Sequence, residues 1–141
     1  ALNHEVLRCI DGAIQFPIIF ELAFEGKTQV VASFKRPSDS DSHRWVVSDY
    51  FSTQWMPNDG ARVAMPLAID LGVLYEKLLL RLIPLPLRNN ETLADLVKRI
   101  EDLLLKKNEL QKITSKLAKE KQFNRKAELN SQLQVLKQKL K

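Results

Sequence analysis

Two charged residues on a predicted β-hairpin are the clearest candidates for chemistry in this sequence. Glu21 and Lys35 lie on the two strands of that hairpin. A carboxylate that holds a divalent cation, together with a lysine that stabilises charge on a phosphate, is typical of metal-dependent nucleases. Such sites usually place an acid two residues before the lysine, where this sequence has Ser33. The pattern therefore favours ordinary charges on the exposed face of a half-buried strand.

Other signatures of catalysis and cofactor binding are absent from the sequence. It has no glycine-rich phosphate loop, no GxGxxG, no HExxH and no GxSxG motif. His4 and His43 are the only histidines and Cys9 is the only cysteine, so there is little material for a metal site and none for an intramolecular disulfide. We expect no cofactor, favour a protein that is not an enzyme, and expect Cys9 to be a small buried residue.

Positive charge is concentrated in the C-terminal third of the chain. Residues 1–90 carry 9 basic and 10 acidic residues, whereas residues 91–141 carry 13 and 7. A solvated helix surface is the default interpretation of these lysines, but the asymmetry is also a hint of contact with a nucleic acid or an acidic protein. Phosphate would be attracted without sequence recognition. The candidate contact residues are Lys112, Lys116, Lys119, Lys121, Arg125 and Lys126.

The N-terminal half must position these groups with a helix and a small sheet. Helical spacing of apolar residues predicts a short helix over residues 2–14, with a face of Leu2, Val6, Cys9, Ile10 and Ala13. A β-hairpin follows, and its alternation predicts a three-residue turn over residues 25–27 that sets Phe24 opposite Thr28 and Leu22 opposite Val30.

Two more strands and a packing helix are predicted next. The third strand covers residues 44–51, with Trp45, Val47 and Phe51 on one side, and a fourth lies near residues 62–64. Pro66 suits the first turn of a helix that runs to about Ile83 and presents a wide leucine face to the sheet. Charged residues interrupt the apolar run, so it is not a membrane span.

The C-terminal region has the pattern of two helices. Thr92 and Asp95 have capping-box spacing at the start of the first helix. Leu117 and Leu129 end and begin two apolar seams that would be about 120° out of phase on one straight helix. We therefore predict a hairpin that bends near residues 119–124, with Asn124 as N-cap. The seams are Leu96, Ile100, Leu103, Leu110, Ile113 and Leu117, and Leu129, Leu133, Leu136 and Leu140.

Together these elements predict an α+β protein with a small antiparallel sheet of three or four strands packed by helices. A C-terminal helical hairpin of the coiled-coil type follows the sheet. We expect two domains: an α+β core over residues 1–87 and a basic helical hairpin over residues 88–141. A composition of 45% hydrophobic and 28% charged residues supports an ordered core.

Several stretches of the sequence resemble one family. They are CIDGAIQFPIIFEL, FKR with the later Arg44-Trp45, LYEKLLLRLIP and, most specifically, KEKQFNRKAELNSQLQVLKQKL. Over nearly all of its length the chain resembles the prokaryotic family Domain of Unknown Function 4391. The resemblance implies the C-terminal part of a longer protein, which agrees with the lack of an initial methionine. It also implies an accessory role beside helicases and methyltransferases of restriction-type defence systems, but no catalytic residues.

These observations favour a cytoplasmic, non-enzymatic interaction or assembly module that serves a prokaryotic nucleic-acid-processing or defence system. The hairpin would bind a protein partner or a second copy of the chain, and no membrane is involved. The alternative is sequence-independent binding of DNA or RNA by the basic hairpin. A metal-dependent nuclease built on Glu21 and Lys35 is a third hypothesis.

Overall fold

A computed structural model describes residues 3–38, 40–41 and 43–138 and confirms the α+β class. The chain forms two compact units, Ala1–Val97 and Lys98–Lys141. The predicted boundary near residue 87 stays a prediction. In chain order the elements are α1 (His4–Ala13), β1 (Ile19–Phe24), β2 (Lys27–Pro37), β3 (Trp45–Ser52), β4 (Met56–Pro57), α2 (Leu71–Leu82), α3 (Leu93–Lys119) and α4 (Phe123–Gln138).

The sheet is antiparallel, with β2 paired to β1 on one side and to β3 and β4 on the other. The hairpin turn has two residues, because Glu25 and Gly26 both have positive φ, at 47° and 72°. This is the geometry of a type I′ turn, which matches the twist of the strands. Phe24 therefore pairs with Lys27 and Glu21 with Val30, so the predicted register was wrong by one residue.

A β-bulge on β3 changes which side chains share a face of the sheet. Ser33 pairs with Tyr50 and Lys35 with Val47, so one residue of β2 faces two residues of β3 between these pairs. The extra residue reverses the alternation of β3. Tyr50 consequently joins the face that carries Ser33 and Lys35, and Phe51 lies on the opposite face, paired with Ala32. The prediction that Phe51 shares a side with Trp45 and Val47 was wrong for this reason.

Helix α1 buries a different face from the predicted one. Asn3 caps its N-terminus, and the buried residues are Leu7 and Asp11, one turn apart. Cys9 is exposed, as are Val6, Ile10 and Ala13, so the predicted apolar face is the outer face of the helix. Leu2 lies outside the described residues. The periodicity misled because Asp11 is buried by specific partners in the sheet rather than by its own hydrophobicity.

Helix α2 begins at Leu71, five residues later than Pro66. Asp70 is its N-cap, with the carboxylate accepting a hydrogen bond from the Val73 N–H at 2.8 Å. Residues 61–70 form neither helix nor strand, so the predicted fourth strand at 62–64 was also wrong, and β4 lies at Met56–Pro57 instead. A strong N-cap fixes the start of a helix more firmly than a proline that is merely tolerated in its first turn.

The core of the first unit lies on both sides of β2. Val31 and Ala32 are adjacent, point to opposite faces and are both buried, so both faces of the sheet are covered at its centre. Helix α2 packs against β2 and β3, and α1 lies against β3. Buried leucines from the helices complete this core, namely Leu7, Leu79, Leu93 and Leu96.

The C-terminal helices follow the predicted pair. Thr92 and Asp95 form the capping box, each accepting from the backbone N–H of the other at 3.2 Å. Residues 120–122 link α3 to α4 where the bend was expected. Asn124 is inside α4 rather than its N-cap, because the helix already begins at Phe123. In the second unit Leu133 is buried, and Leu140 lies outside the described residues.

Candidate functional site

A buried ion pair lies where α1 crosses the sheet. The side chains of Asp11 and Lys35 are both 0% exposed, and Lys35 Nζ lies 3.5 Å from Asp11 Oδ1. Lys35 Nζ also donates to the backbone carbonyls of Asp11, at 2.6 Å, and of Ile14. These carbonyls belong to the C-terminal end of α1, where a cation is favourable. The lysine therefore ties the end of α1 to β2.

Two hydroxyl groups of the sheet complete the surroundings of the carboxylate. Tyr50 donates its phenolic hydrogen to Asp11 Oδ2, and Ser33 Oγ donates to the same oxygen at 3.3 Å. Burial, then the hydrogen bond to Asp11 and the negative charge of Asp11, raise the pKa of Tyr50 above its ordinary value. The phenol thus stays protonated and remains a donor.

Tyr75 of α2 closes this arrangement at the β-bulge. Its hydroxyl donates to the Ser33 carbonyl and accepts from the Lys35 N–H at 3.1 Å. Ser48 Oγ accepts from the Phe34 N–H at 2.9 Å, so side chains satisfy backbone groups that the bulge removes from the ladder. Burial raises the pKa of Tyr75 as well. We call Asp11, Ser33, Lys35, Tyr50 and Tyr75 the polar cluster.

The geometry of the polar cluster is that of a structural joint. Its ion pair has no exposed side-chain surface, and its donors are directed to groups of the same unit. Glu21, the partner suggested for Lys35, pairs with Val30 and so lies on the opposite face of the sheet. No three His, Cys, Asp or Glu side chains in the described part of the chain are arranged to hold a metal ion. The nuclease hypothesis has no support from this geometry.

A second candidate is the basic end of the helix pair, defined by Lys112, Lys116, Lys119, Lys121, Arg125 and Lys126. None of the six forms a salt bridge with another described residue. Lys116 and Lys119 of α3 and Arg125 of α4 line one open concavity of about 520 Å³, together with Glu120, Glu128, Leu129 and Gln132. The link thus brings three of the six predicted contact residues, from both helices, to one place.

Glu120 in the link is satisfied by the backbone beside it. Its Oε1 accepts from the N–H groups of Lys121 and Gln122, both at 2.9 Å. The Gln122 bond, with the nearby positive charges of Arg125 and Lys126, lowers the pKa of Glu120. This carboxylate therefore holds the link in shape and offsets only a small part of the positive charge.

A third candidate was not anticipated from the sequence: residues 62–70, which we call the exposed segment. Its four large apolar residues are mostly solvent-exposed: Val63 at 79%, Met65 at 69%, Leu67 at 92% and Ile69 at 94%. Lys77 Nζ donates to the Leu67 carbonyl at 2.6 Å and Arg81 to the Ala64 carbonyl at 2.9 Å. Two cations one turn apart on α2 thus hold this segment along the helix.

The fold and these candidates define a small α+β protein with a C-terminal helix pair. The chain belongs to the family described as "Domain of unknown function (DUF4391)", whose model matches residues 1–140. No curated protein and no solved structure matches the chain. None of the described helices is both long and apolar enough to cross a membrane.

Sequence patterns pointed to the basic end but missed Asp11 and the exposed segment. Asp11 occurs in a helix whose apolar residues suggested another buried face, and Lys35 is 24 positions away. The exposed segment was missed because the sequence predicts a strand near residues 62–64 and a packing helix that begins at Pro66. Its apolar residues recur at every second position, from Val63 to Ile69, and this period indicates extended chain rather than helix.

Proposed function

We propose that this chain is an interaction module that binds a protein partner through the exposed segment. The observation that carries the proposal is the row of four large apolar side chains that are 69–94% exposed. Soluble proteins rarely present contiguous apolar surface of this kind unless another molecule covers it. The sequence hypothesis placed assembly on the helical hairpin, whereas the row belongs to the first unit.

The anchoring of the segment supports the same function. Lys77 and Arg81 each donate a hydrogen bond to its backbone, so the apolar side chains are presented on a supported chain. A surface that is ordered before binding loses less conformational entropy when a partner arrives. The polar cluster, for its part, fixes the sheet on which α2 and the segment depend.

The family resemblance suggests the setting in which such a module acts. We propose a cytoplasmic accessory role in a prokaryotic restriction-type or defence system that processes nucleic acid. The protein partner would then be a component of that system or a second copy of this chain.

The test is affinity purification of the tagged protein from its native host. The variant Met65→Ser/Leu67→Ser removes two apolar side chains from the row. The matched control, Leu104→Ser/Leu105→Ser, makes the same kind of change on α3, where these leucines are 45% and 67% exposed. We expect a protein that co-purifies in stoichiometric amount with the unmodified chain and with the control variant but not with the first variant. This protein, once purified, should bind the unmodified chain again when the two are mixed. Equal recovery with both variants would contradict the proposal.

Binding of nucleic acid is a second candidate function, favoured by the six cations at the basic end. Their lack of salt bridges with described residues leaves their charge available to phosphates. Such binding would weaken steeply with salt, because each phosphate contact releases a counterion. The concavity between α3 and α4 adds a place where several of these side chains converge.

Fluorescence anisotropy with a labelled DNA duplex at two salt concentrations tests this second function. Lys119, Lys121, Arg125 and Lys126 are changed to glutamine, and the matched control neutralises Lys98, Lys106, Lys107 and Lys137 on the same two helices. We expect the first variant to lose most of its affinity for the duplex and most of the decrease of that affinity with salt. The control variant should retain more of its affinity and more of this salt dependence. Failure of the unmodified protein to bind at low salt would exclude this function.

A further inference from the structure

The exposed segment has an internal symmetry of residue type about Pro66. Reading outward, Met65 mirrors Leu67, Ala64 mirrors Ala68 and Val63 mirrors Ile69. The outermost pair, Arg62 and Asp70, has opposite charges. An arrangement of this kind is self-complementary. When two copies of the segment lie antiparallel, large side chains face large ones, small side chains face small ones, and each cation faces an anion.

We infer that the exposed segment binds the same segment of a second copy of this chain, antiparallel and about a two-fold axis at Pro66. This inference rests on the proposed function and names its partner. A two-fold contact uses one surface patch on both subunits, so that each residue pair occurs twice. The contact would contain two Met65–Leu67 pairs, two Val63–Ile69 pairs and two Arg62–Asp70 pairs.

The charges at the two ends are available for this contact. Arg62 makes no salt bridge with any described residue. Asp70 uses Oδ1 to cap α2 through the Val73 N–H, and its Oδ2 accepts no hydrogen bond from the described chain. One carboxylate oxygen therefore faces no competing donor and can accept from Arg62 of the second copy. A parallel arrangement would instead place like charges together, which disfavours it.

The backbone N–H groups of the segment also have no partners within the described chain. No N–H group of residues 61–69 donates a hydrogen bond within the described chain. Pro66, which has no N–H, occupies the symmetry axis, where its ring can contact its own copy without leaving a donor unsatisfied. Only carbonyls, those of Ala64 and Leu67, are held by α2.

The amount of surface is suitable for a dimer. Four large side chains with 69–94% of their surface exposed contribute several hundred Å² from each copy, on the order of the roughly 800 Å² per partner of a standard interface. Because every apolar residue of the row meets an apolar residue of the other row, this surface would be removed from water on both sides.

Sedimentation equilibrium of the purified full chain tests the inference. We expect a reversible dimer, and we expect Met65→Ser/Leu67→Ser to raise its dissociation constant about 100-fold or more, since each substitution acts twice in the dimer. Arg62→Asp should weaken it less, by about tenfold, through repulsion from Asp70. Leu104→Ser/Leu105→Ser should leave it unchanged. Circular dichroism is expected to be the same for all variants, because these side chains are exposed.

Cross-linking tests the direction and register of the contact. In a background where the exposed Cys9 is changed to serine, single cysteines are introduced and joined with a short bismaleimide. Pro66→Cys should cross-link to itself. Val63→Cys should not, because its two copies would be about 20 Å apart. A mixture of Val63→Cys and Ile69→Cys should cross-link efficiently. Self-linking of Val63→Cys would overturn the antiparallel arrangement.

The outcomes separate this inference from the proposed function. A protein that stays monomeric at all concentrations, or a dimer that survives Met65→Ser/Leu67→Ser, overturns the self-association. In the first case a different protein captured through the same residues in the native host would still support the interaction module. If Met65→Ser/Leu67→Ser weakens neither dimerisation nor the capture of a partner, both the inference and the proposed function are wrong.

Discussion

Lys35 and the basic end of the helix pair use the same chemistry for opposite purposes. The Lys35 ammonium is fully buried and faces the Asp11 carboxylate and two carbonyls at the end of α1. The six cations of the basic end have no such partners among the described residues. A buried cation without partners is strongly destabilising, whereas exposed ones cost little and attract anions over a distance.

The difference teaches that the role of a charge here is set by its surroundings, not by its residue type. Trp45 adds to the contrast, since its ring centre lies 5.8 Å from Lys35 Nζ and shields one side of the ammonium. Changes at Lys35 should therefore be measured as stability, and changes at the basic end as binding.

The largest effect is expected for Lys35→Met. The substitution leaves Asp11 buried without its cation and releases the carbonyls of α1, which should lower the free energy of unfolding by about 3–5 kcal/mol. Urea denaturation followed by circular dichroism measures it. The double variant Asp11→Leu/Lys35→Met removes both charges and should be more stable than the single variant. If Lys35→Met were as stable as the natural chain, the contrast between the buried Lys35 and the exposed cations of the basic end would be wrong.

A smaller loss is expected for Tyr75→Phe. The change removes the hydroxyl that bonds the Ser33 carbonyl and the Lys35 N–H at the bulge, leaving both groups without this partner. Unsatisfied buried polar groups cost about 1–3 kcal/mol each before any relaxation. The same urea titration measures the change. Tyr50→Phe, which removes the other phenolic hydroxyl of the polar cluster, provides the comparison, and a Tyr75→Phe variant of unchanged stability would contradict the role given to this hydroxyl.

Alkaline pH should weaken the polar cluster. Burial raises the pKa of both Tyr50 and Tyr75, so the folded protein keeps phenolic protons that the unfolded chain releases above about pH 10. The stability that the two protonated tyrosines contribute to the folded state is fully present below about pH 10 and is lost as the pH rises further. When the free energy of unfolding is measured from about pH 8 to 11, it should decrease above about pH 10. The decrease should be shallower for Tyr50→Phe/Tyr75→Phe.

The smallest effect on stability is expected at the basic end. Changing Lys119, Lys121, Arg125 and Lys126 to glutamine removes charges that have no salt bridges with described residues, so the free energy of unfolding should change little, by about 0.5 kcal/mol or less per residue. Urea titration of this variant measures the change. A large loss of stability would mean that these cations hold the helix pair together, and the contrast with Lys35 would disappear.

Local signals in the sequence located several features that neighbouring residues decide. The capping box at Thr92 and Asp95, the turn at Glu25 and Gly26, and the bend between the two leucine seams all involve residues close in sequence. Even there, details depended on geometry, because a two-residue turn and a three-residue turn give opposite strand registers. The start of α2 was missed although Asp70 is a good N-cap, because Pro66 offered an earlier start.

The sequence by itself determined the α+β class, the helix pair and the position of the positive charge. Tertiary structure alone decided that Asp11 meets Lys35, that the bulge turns Tyr50 toward them, and that residues 62–70 stay outside the core. These features depend on residues that are distant in sequence and on whether a side chain finds a partner when it is buried. Hydrophobic periodicity records how much a residue prefers to leave water, but not which residue it will meet.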